Sequence, residues 1–242
     1  MVNFKCGVII AAAGSGKRMG TKVLKQYLEI KGIPVLARTL SCFENCKEIS
    51  EIVIVTAEAE KEFCEKEIVE KFNFSKVKKI VSGGAERQES VFNGLNALEK
   101  DTDIVLIHDG VRPFVKKIYI KKIIEETALY EACVLGVKVK DTIKICDENG
   151  FVENTPDRRA LWIAQTPQAF KYSLIMNAYK KAESDGFFGT DDSMLAERLG
   201  LKVKMTEGDY DNIKITTKED LAFGEAIVKE TQRNSKYKGN SV

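Results

Sequence analysis

An open α/β fold, a mostly parallel twisted sheet with helices on both faces, is what this 242-residue sequence predicts. Two observations carry the prediction. Short runs that are apolar at nearly every position recur along the first half, and between them apolar residues recur at helical spacing. A strand without polar alternation is buried on both faces, which is the situation of a strand in a parallel sheet. Strands alternating with helices then give a Rossmann-like sheet covered on both sides.

The strand-like runs are Cys6–Ala11, Ile52–Val55, Lys79–Val81 and Asp103–Ile107. Between them, Pro34 to Cys46 places Val35, Leu36, Thr39, Leu40 and Phe43 on one helical face, with Pro34 suited to a first helical position. Lys116 to Tyr130 does the same with Ile120, Ile123, Ile124 and Thr127. Cys133–Val137 is one more core strand. From Lys138 to Arg159 the chain turns polar around Glu148-Asn149-Gly150, and Asn-Gly is a strong hairpin signal. A hairpin this polar belongs outside the core, as a protruding β-arm over about 138–159. Helices are expected near Tyr172–Ser184 and Asp191–Leu199, strands at Lys202–Met205 and near Ile213–Ile215, and a last helix over Lys218–Lys229. The polar tail 231–242 is expected to fray. No internal repeat or long linker divides the chain, so residues 1–230 are expected to form one domain with the arm inserted.

Lys and Arg number 38 against 36 Asp and Glu. A chain so nearly neutral is not a polyanion coat, so no nucleic-acid partner is expected, and any anion site must be local. The longest apolar run, Gly7–Ala13, is far too short to span a bilayer, and its flanks do not make a signal peptide. The expectation is a cytoplasmic protein without a membrane partner. The six cysteines form no C-x-x-C pair and accompany a single histidine, His108, so a Cys/His zinc site is not expected and the cysteines read as small core residues.

Ligands of open α/β sheets bind beyond the carboxyl ends of the strands, so the residues after each strand are the informative ones. The first strand runs into Ala11-Ala12-Ala13-Gly14-Ser15-Gly16-Lys17-Arg18-Met19-Gly20, where glycines let backbone N–H groups approach phosphate and two bases add charge. This is neither a P-loop, which needs Gly at Ala11 and Ser or Thr at Arg18, nor a dinucleotide fingerprint, which needs Gly at Met19. Lys25-Gln26 closes the following excursion. Ser82-Gly83-Gly84-Ala85-Glu86-Arg87-Gln88-Glu89-Ser90 follows a strand and opens a helix, with Arg87 and Ser90 on one face near its N-terminus. His108-Asp109-Gly110-Val111-Arg112-Pro113 places an acid where a divalent cation can be held, while His108 reads as structural. Asp211-Asn212-Ile213-Lys214 brings an acid, an amide and a base together late in the chain. Four sheet-end segments bearing glycine, base or acid suit a triphosphate, whose transfer chemistry rests on positioning and electrostatic stabilisation.

As an ordered set these segments, with Asp141-Thr142, Thr166-Pro167-Gln168 and Thr190-Asp191-Asp192, resemble the 2-C-methyl-D-erythritol 4-phosphate cytidylyltransferases of the non-mevalonate isoprenoid pathway, from Val8 to about Ala226. The resemblance implies Mg²⁺-dependent transfer of CMP from CTP to a polyol phosphate with release of pyrophosphate, in a homodimer that exchanges the β-arm. It implies Arg18 and Lys25 at the α-phosphate, with Ala12, Ala13, Gly14, Gly16, Gly83, Gly84, Arg87 and Ser90 around the nucleotide. It implies Asp109 at the metal, Arg158 and Lys214 orienting the second substrate, and Arg112, Thr142, Thr166 and Thr190 among its contacts, Thr142 and Arg158 reaching across the dimer. One departure stands out: the family commonly has proline before the catalytic lysine, and this chain has Leu24, which leaves φ unfixed and the loop less ordered in advance. The alternatives are a ribitol 5-phosphate cytidylyltransferase, disfavoured by Thr155–Trp162 and Thr190–Ser193, and a non-catalytic nucleotide-binding domain, disfavoured by Arg18 with Lys25. A nicotinamide oxidoreductase is disfavoured by the failed glycine pattern.

Overall fold

The protein is described by a computed structural model covering residues 4–14 and 23–239, the last six of these as backbone alone. Its centre is a seven-stranded sheet built from β1 (Cys6–Ala11), β4 (Ile49–Thr56), β5 (Val77–Ser82), β6 (Ile104–Asp109), β7 (Ala132–Lys138), β10 (Trp162–Lys171) and β11 (Lys204–Glu207), in the order β11-β7-β10-β6-β1-β4-β5. Beside it, β2 (Glu29–Ile30) pairs with β3 (Ile33–Pro34), and β8 (Ile145–Cys146) with β9 (Val152–Asn154). β1 runs parallel to β4 and β6, β4 to β5, and β7 to β11, while β10 is antiparallel to both of its neighbours.

The alternate side chains of each strand explain the two helical layers. Val8, Ile10, Ile52, Ile54 and Leu106 point to one face, where α1 (Val35–Glu44), α4 (Lys117–Tyr130) and the helical stretch of α2 (Lys61–Phe63) continued as a π-helix, Cys64–Glu70, bring Leu36, Leu40, Phe43, Ile120, Ile123 and Ile68 against them. Ile9, Val53, Val55, Val105 and Ile107 point to the other, under α3 (Arg87–Ala97), α5 (Tyr172–Ser184) and α6 (Asp192–Arg198). A smaller cluster of Ile30, Val35, Val111, Ile215 and Val228 fixes the last helix, α7 (Lys218–Gly239), beside the β2–β3 ribbon. From β1 the chain builds outward through β4 and β5, then crosses to β6 on the other side of β1. The connections therefore diverge at the carboxyl end of β1, where such sheets open a crevice.

Three features differ from the sequence expectation. β10 went unread because Pro167 sits inside it, and proline argues against a central strand; the sheet accommodates it with a register shift between Ala164 and Gln168, and the Thr166–Pro167 peptide is cis. No strand forms at Ile213–Ile215: the segment crosses the 110–113 loop with Ile215 N–H bonded to the Val111 carbonyl, and its isoleucines pack under α7 instead. The last helix continues to Gly239 rather than ending near Lys229, since Gln, Arg, Asn, Ser and Lys there include no breaker before that glycine. The β8–β9 hairpin stands outside both layers, its turn held by Asp147 Oδ1, which accepts from the Asn149 and Phe151 N–H groups at 3.0 and 2.8 Å. Ile143, Ile145, Phe151 and Val152 are exposed on it.

Gly94 shows how closely α3 is pressed on the sheet. A Cβ there would lie 2.7 Å from Ile9 Cγ2 and 2.9 Å from Val55 Cγ2. Helix propensity alone makes Gly94→Ala stabilising by roughly 0.5–1 kcal/mol, but overpacking costs about 1–3 kcal/mol, so the expected outcome is a net loss. An unchanged or higher urea midpoint for the variant counts against so tight a seating of α3.

Candidate active site

Beyond the carboxyl ends of β1 and β6 lies a cleft of about 320 Å³. Ala11, Ala12, Ala13 and Gly14 line it from the end of β1, Lys25 and Gln26 from a 3-10 turn (Lys25–Tyr27), and Gly84, Ala85, Glu86, Arg87 and Ser90 from the start of α3. Asp109 ends β6, Val111 follows it, and Lys214 completes the lining. The volume lies within the ~300–1,000 Å³ usual for small-ligand sites.

The loop before α3 is shaped by its own side chains. Ser90 Oγ accepts from the Gly84 N–H and donates to the Glu86 carbonyl, both at 3.0 Å, and Glu89 Oε2 accepts from the Ala85 N–H at 2.7 Å. A Cβ on Gly83 would stand 2.5 Å from Ala13 Cβ and 2.7 Å from Ser90 Oγ, so glycine there lets this loop touch the loop after β1. Gly83 is thus a packing residue behind the cleft wall, while Gly84 lines it. The N-terminus of α3 adds the partial positive charge that favours an anion.

Charge converges on Asp109, which is 5% exposed. Lys214 Nζ lies 2.9 Å and Arg112 Nε 3.3 Å from its Oδ2, and Arg87 Nε 3.5 Å from its Oδ1. Burial alone raises such a carboxyl group, but Arg87, Lys214 and Arg112 together outweigh it and hold Asp109 well below the usual carboxylate range. Arg87 is itself fixed by Asp192, fully buried, through paired bonds of 2.8 Å from Nη1 and Nη2. Tyr179 donates to Asp192 Oδ1 at 2.5 Å from the buried side of α5. Burial works against charge on Arg87, and Asp192 more than compensates. Arg112 Nη1 also donates to the Asn212 carbonyl at 2.8 Å, tying the Asp211–Lys214 segment to β6.

His108 is fully buried against the edge of Phe43 and structural in its bonding. Its Nε2 lies 3.0 Å from the Arg112 carbonyl, an acceptor, so Nε2 carries the proton. Nδ1 is then the acceptor for the Thr166 hydroxyl at 3.1 Å, and Thr166 Oγ1 accepts the Asp109 N–H at 3.0 Å. Burial first, with Arg112 and Lys214 nearby, pushes the imidazole down to about 4.

The expected site residues thus divide. Ala12, Ala13, Gly14, Lys25, Gly84, Arg87, Ser90, Asp109 and Lys214 share one cleft. Thr166 and Arg112 stand directly behind it, in contact with Asp109. Thr142, Arg158 and Thr190 are exposed and do not line it; Arg158 Nη1 donates to the Lys140 carbonyl at the base of the arm. Gly16 and Arg18 lie outside the described residues. Leu24, standing where proline was expected, has φ −64° and ψ 140°, within the range a proline ring imposes. Three participants were given no role from sequence: Asp192 and Gln26, each named only as part of a motif, and Tyr179, which looks like any core aromatic on a helix.

Among the described residues no group of three or more His, Cys, Asp or Glu side chains could cage a metal. Asp109 still suits a cation that arrives with phosphate ligands. Its Oδ1 faces only the 3.5 Å contact to Arg87, longer than a hydrogen bond, among the described residues, and Mg²⁺ uses one or two carboxylates plus phosphate and water oxygens.

Comparison with known proteins places nearly the whole chain beside one family. Residues 6–230 match the family described as IspD, 2-C-methyl-D-erythritol 4-phosphate cytidylyltransferase. The chain is 51% identical over 221 residues to the protein of that name from Caldanaerobacter subterraneus subsp. tengcongensis, covering 91% of this chain and 97% of the relative. It is 48% identical over 225 residues to the one from Geobacter metallireducens, with 92% and 97% covered. The crystal structure of 4-diphosphocytidyl-2C-methyl-D-erythritol synthase from Anaerococcus prevotii superposes with a TM-score of 0.84 at 40% identity, covering 94% of this chain and 97% of that one.

The His108 geometry predicts a pH dependence of stability. Its folded value near 4 lies below the ordinary 6.5, so the unfolded chain binds the proton first as pH falls. The stabilisation is complete above pH ~6.5 and is lost progressively toward pH ~4, on the order of 3 kcal/mol. Urea unfolding in metal-free buffer should show this slope, and His108→Gln should flatten it; equal slopes in the two proteins contradict a neutral buried imidazole.

Proposed function

The chain belongs to the 2-C-methyl-D-erythritol 4-phosphate cytidylyltransferase family, and on that premise we propose how its cleft carries out the transfer of a cytidylyl group from CTP to 2-C-methyl-D-erythritol 4-phosphate. The observation that carries the reading is one cleft shared by the loop after β1, the N-terminus of α3, Lys25, Asp109 and Lys214. CTP lies with its base and ribose between the 12–14 and 84–90 segments and its triphosphate along the loop after β1. A phosphate oxygen of the second substrate attacks the α-phosphorus; the new P–O bond forms as the α–β phosphoanhydride bond breaks, and pyrophosphate leaves.

Negative charge builds on the oxygens around the α-phosphorus in that step, so fixed cations stabilise the transition state more than the ground state. Lys25 suits this role: its Nζ stands 3.9 Å from where a Gly14 Cβ would be, against the loop that receives the phosphates. Arg18 is assigned beside it on the family resemblance. Lys214, on the far side of the cleft, orients the attacking phosphate. Asp109 would hold a Mg²⁺ ion that arrives with the nucleotide, and the ion would supply charge neutralisation for the triphosphate. No side-chain nucleophile is required, and His108, with both ring nitrogens bonded inside the core, takes no part in proton transfer.

The second substrate's remaining contacts are proposed to come from a partner copy. Thr142 and Arg158 do not line their own cleft, and the arm that carries them exposes Ile143, Ile145, Phe151 and Val152. Exchange of arms in a homodimer covers these residues and delivers Thr142 and Arg158 to the neighbouring cleft, with Thr190 also at the second substrate. A cytoplasmic location is proposed with it: the six cysteines are unpaired, as in a reducing compartment, and no described helix is long and apolar enough to cross a membrane.

The direct test is pyrophosphate release from CTP, ATP, GTP and UTP with each of methylerythritol 4-phosphate and ribitol 5-phosphate. Turnover is expected only with CTP and the first acceptor and to stop in excess chelator; preference for ribitol 5-phosphate overturns the acceptor, and full rate in chelator overturns the metal. Lys25→Ala should lower kcat by about 10²–10³-fold, the usual loss for one charge-stabilising donor. If arms are exchanged, mixing Lys25→Ala with Arg158→Ala protein restores activity through dimers bearing one intact site, whereas mixtures as inactive as their components rule out sharing.

A further inference from the structure

We propose that Gln26 is a positioning residue for Lys25, fastening the turn that carries the lysine to the nucleotide-binding loop. The proposal rests on the reading of Lys25 as the cation at the reacting phosphate. Gln26 is the middle residue of the Lys25–Tyr27 turn and is 1% exposed. Its Nε2 donates to the Ala12 carbonyl at 2.9 Å. Ala12 in turn donates its N–H to the Val55 carbonyl at 2.7 Å, which extends the sheet's bonding one residue past β1. The amide therefore joins the turn to the sheet itself. Two residues further along the same loop is Gly14, against which the Lys25 ammonium lies. Ala12, Gly14, Lys25 and Gln26 all line the cleft.

Stability does not account for an amide at this place. Gln26 Oε1 is buried and accepts no hydrogen bond among the described residues. A buried acceptor left so costs about 1–3 kcal/mol, which offsets what the Nε2–Ala12 bond contributes, so an apolar side chain of the same length, without that penalty, leaves the fold about as stable. The other side of the turn is anchored without it, by Tyr27, which packs edge-on against Phe63 at 4.7 Å, and by the Val35 N–H bonded to the Leu28 carbonyl at 2.8 Å. Those anchors fix the distal end of the turn. The Gln26–Ala12 bond fixes its distance from the phosphate loop, the coordinate that sets how far the Lys25 ammonium stands from the reacting group.

The distinguishing experiment compares Gln26→Met in the wild-type and Lys25→Ala backgrounds, with kcat, KM for CTP and Tm measured for all four proteins. In the wild-type background kcat should fall about 10–100-fold, the scale of a misplacement near 1 Å, while KM for CTP and Tm stay close to their starting values. In the Lys25→Ala background the same change should alter kcat by less than about twofold, because residues that act as one unit are not additive. Equal losses in the two backgrounds, a change confined to KM, or an unchanged kcat overturns the proposal. If Gln26→Met does not fold, Gln26→Leu, which is shorter by one atom and has no donor in any protonation state, is read by the same criteria; unfolding of both variants makes Gln26 a structural residue and equally overturns it. Wild-type protein that releases no pyrophosphate from CTP removes the underlying functional reading instead, a result separable from all of these.

Discussion

A single buried carboxylate, Asp109, organises the cationic side of the cleft. Lys214, Arg112 and Arg87 approach it from three separate parts of the chain. None of the three could be brought so close to the others without an anion between them, since like charges a few ångströms apart in a protein repel by several kcal/mol. The carboxylate in turn stays ionised in a buried place only because they surround it. Each end of the arrangement therefore depends on the other, and removing the anion leaves three crowded cations rather than a weaker version of the same site.

The sheet explains why these groups meet. β6 delivers Asp109 at its carboxyl end, and the crossing of the chain from β5 over to β6 places that end beside the end of β1. Thr166 then matters through β10: its hydroxyl receives the Asp109 N–H and donates to His108, so the antiparallel strand that interrupts the parallel order fixes the backbone of the central acid. Arg87 comes from α3, where Asp192 of α6 holds both terminal nitrogens of its guanidinium and Tyr179 of α5 donates to Asp192 in turn. Such a fork is specified in direction as well as in charge. The protein core behind the cleft is consequently polar along one line, Tyr179 to Asp192 to Arg87 to Asp109, with each group bonded or ion-paired to the next.

The parallel core was legible because its central strands carry runs that are apolar at nearly every position, a pattern that burial on both faces imposes; Val8, Ile9 and Ile10 are fully buried in succession. The cleft was legible because its glycines, bases and acid lie directly after those strands. What escaped reading was set by tertiary contact. β10 carries a proline and polar Gln165, Thr166 and Gln168, all buried, where local pattern argues against a central strand. Ile213 and Ile215 alternate like a strand but serve a helix–loop cluster. Tyr179 has a helical address and an apolar neighbourhood, stacked on Phe92, and only the three-dimensional arrangement brings its hydroxyl to Asp192. Residues that act through another residue leave little trace in spacing.

Leu24 shows the same point from the other side. With proline absent, the expectation was a loop less ordered in advance of the lysine. Yet Leu24 holds φ −64°, and Leu28, across the turn, holds φ −62°. What proline contributes at a compatible site is chiefly a narrower unfolded ensemble, about 0.4–1 kcal/mol, and not a different folded backbone. Leu24 meets the same geometry by another route: its side chain packs against the cluster that contains Tyr27 and Leu36, burying apolar surface that a proline ring presents less of. The conformation before Lys25 is therefore held by contacts made only in the folded state, and its order rises and falls with the integrity of the α1 side of the core. A substitution that looks like a loss of preorganisation in the sequence is, in the structure, a transfer of the same constraint from the backbone ring to side-chain packing.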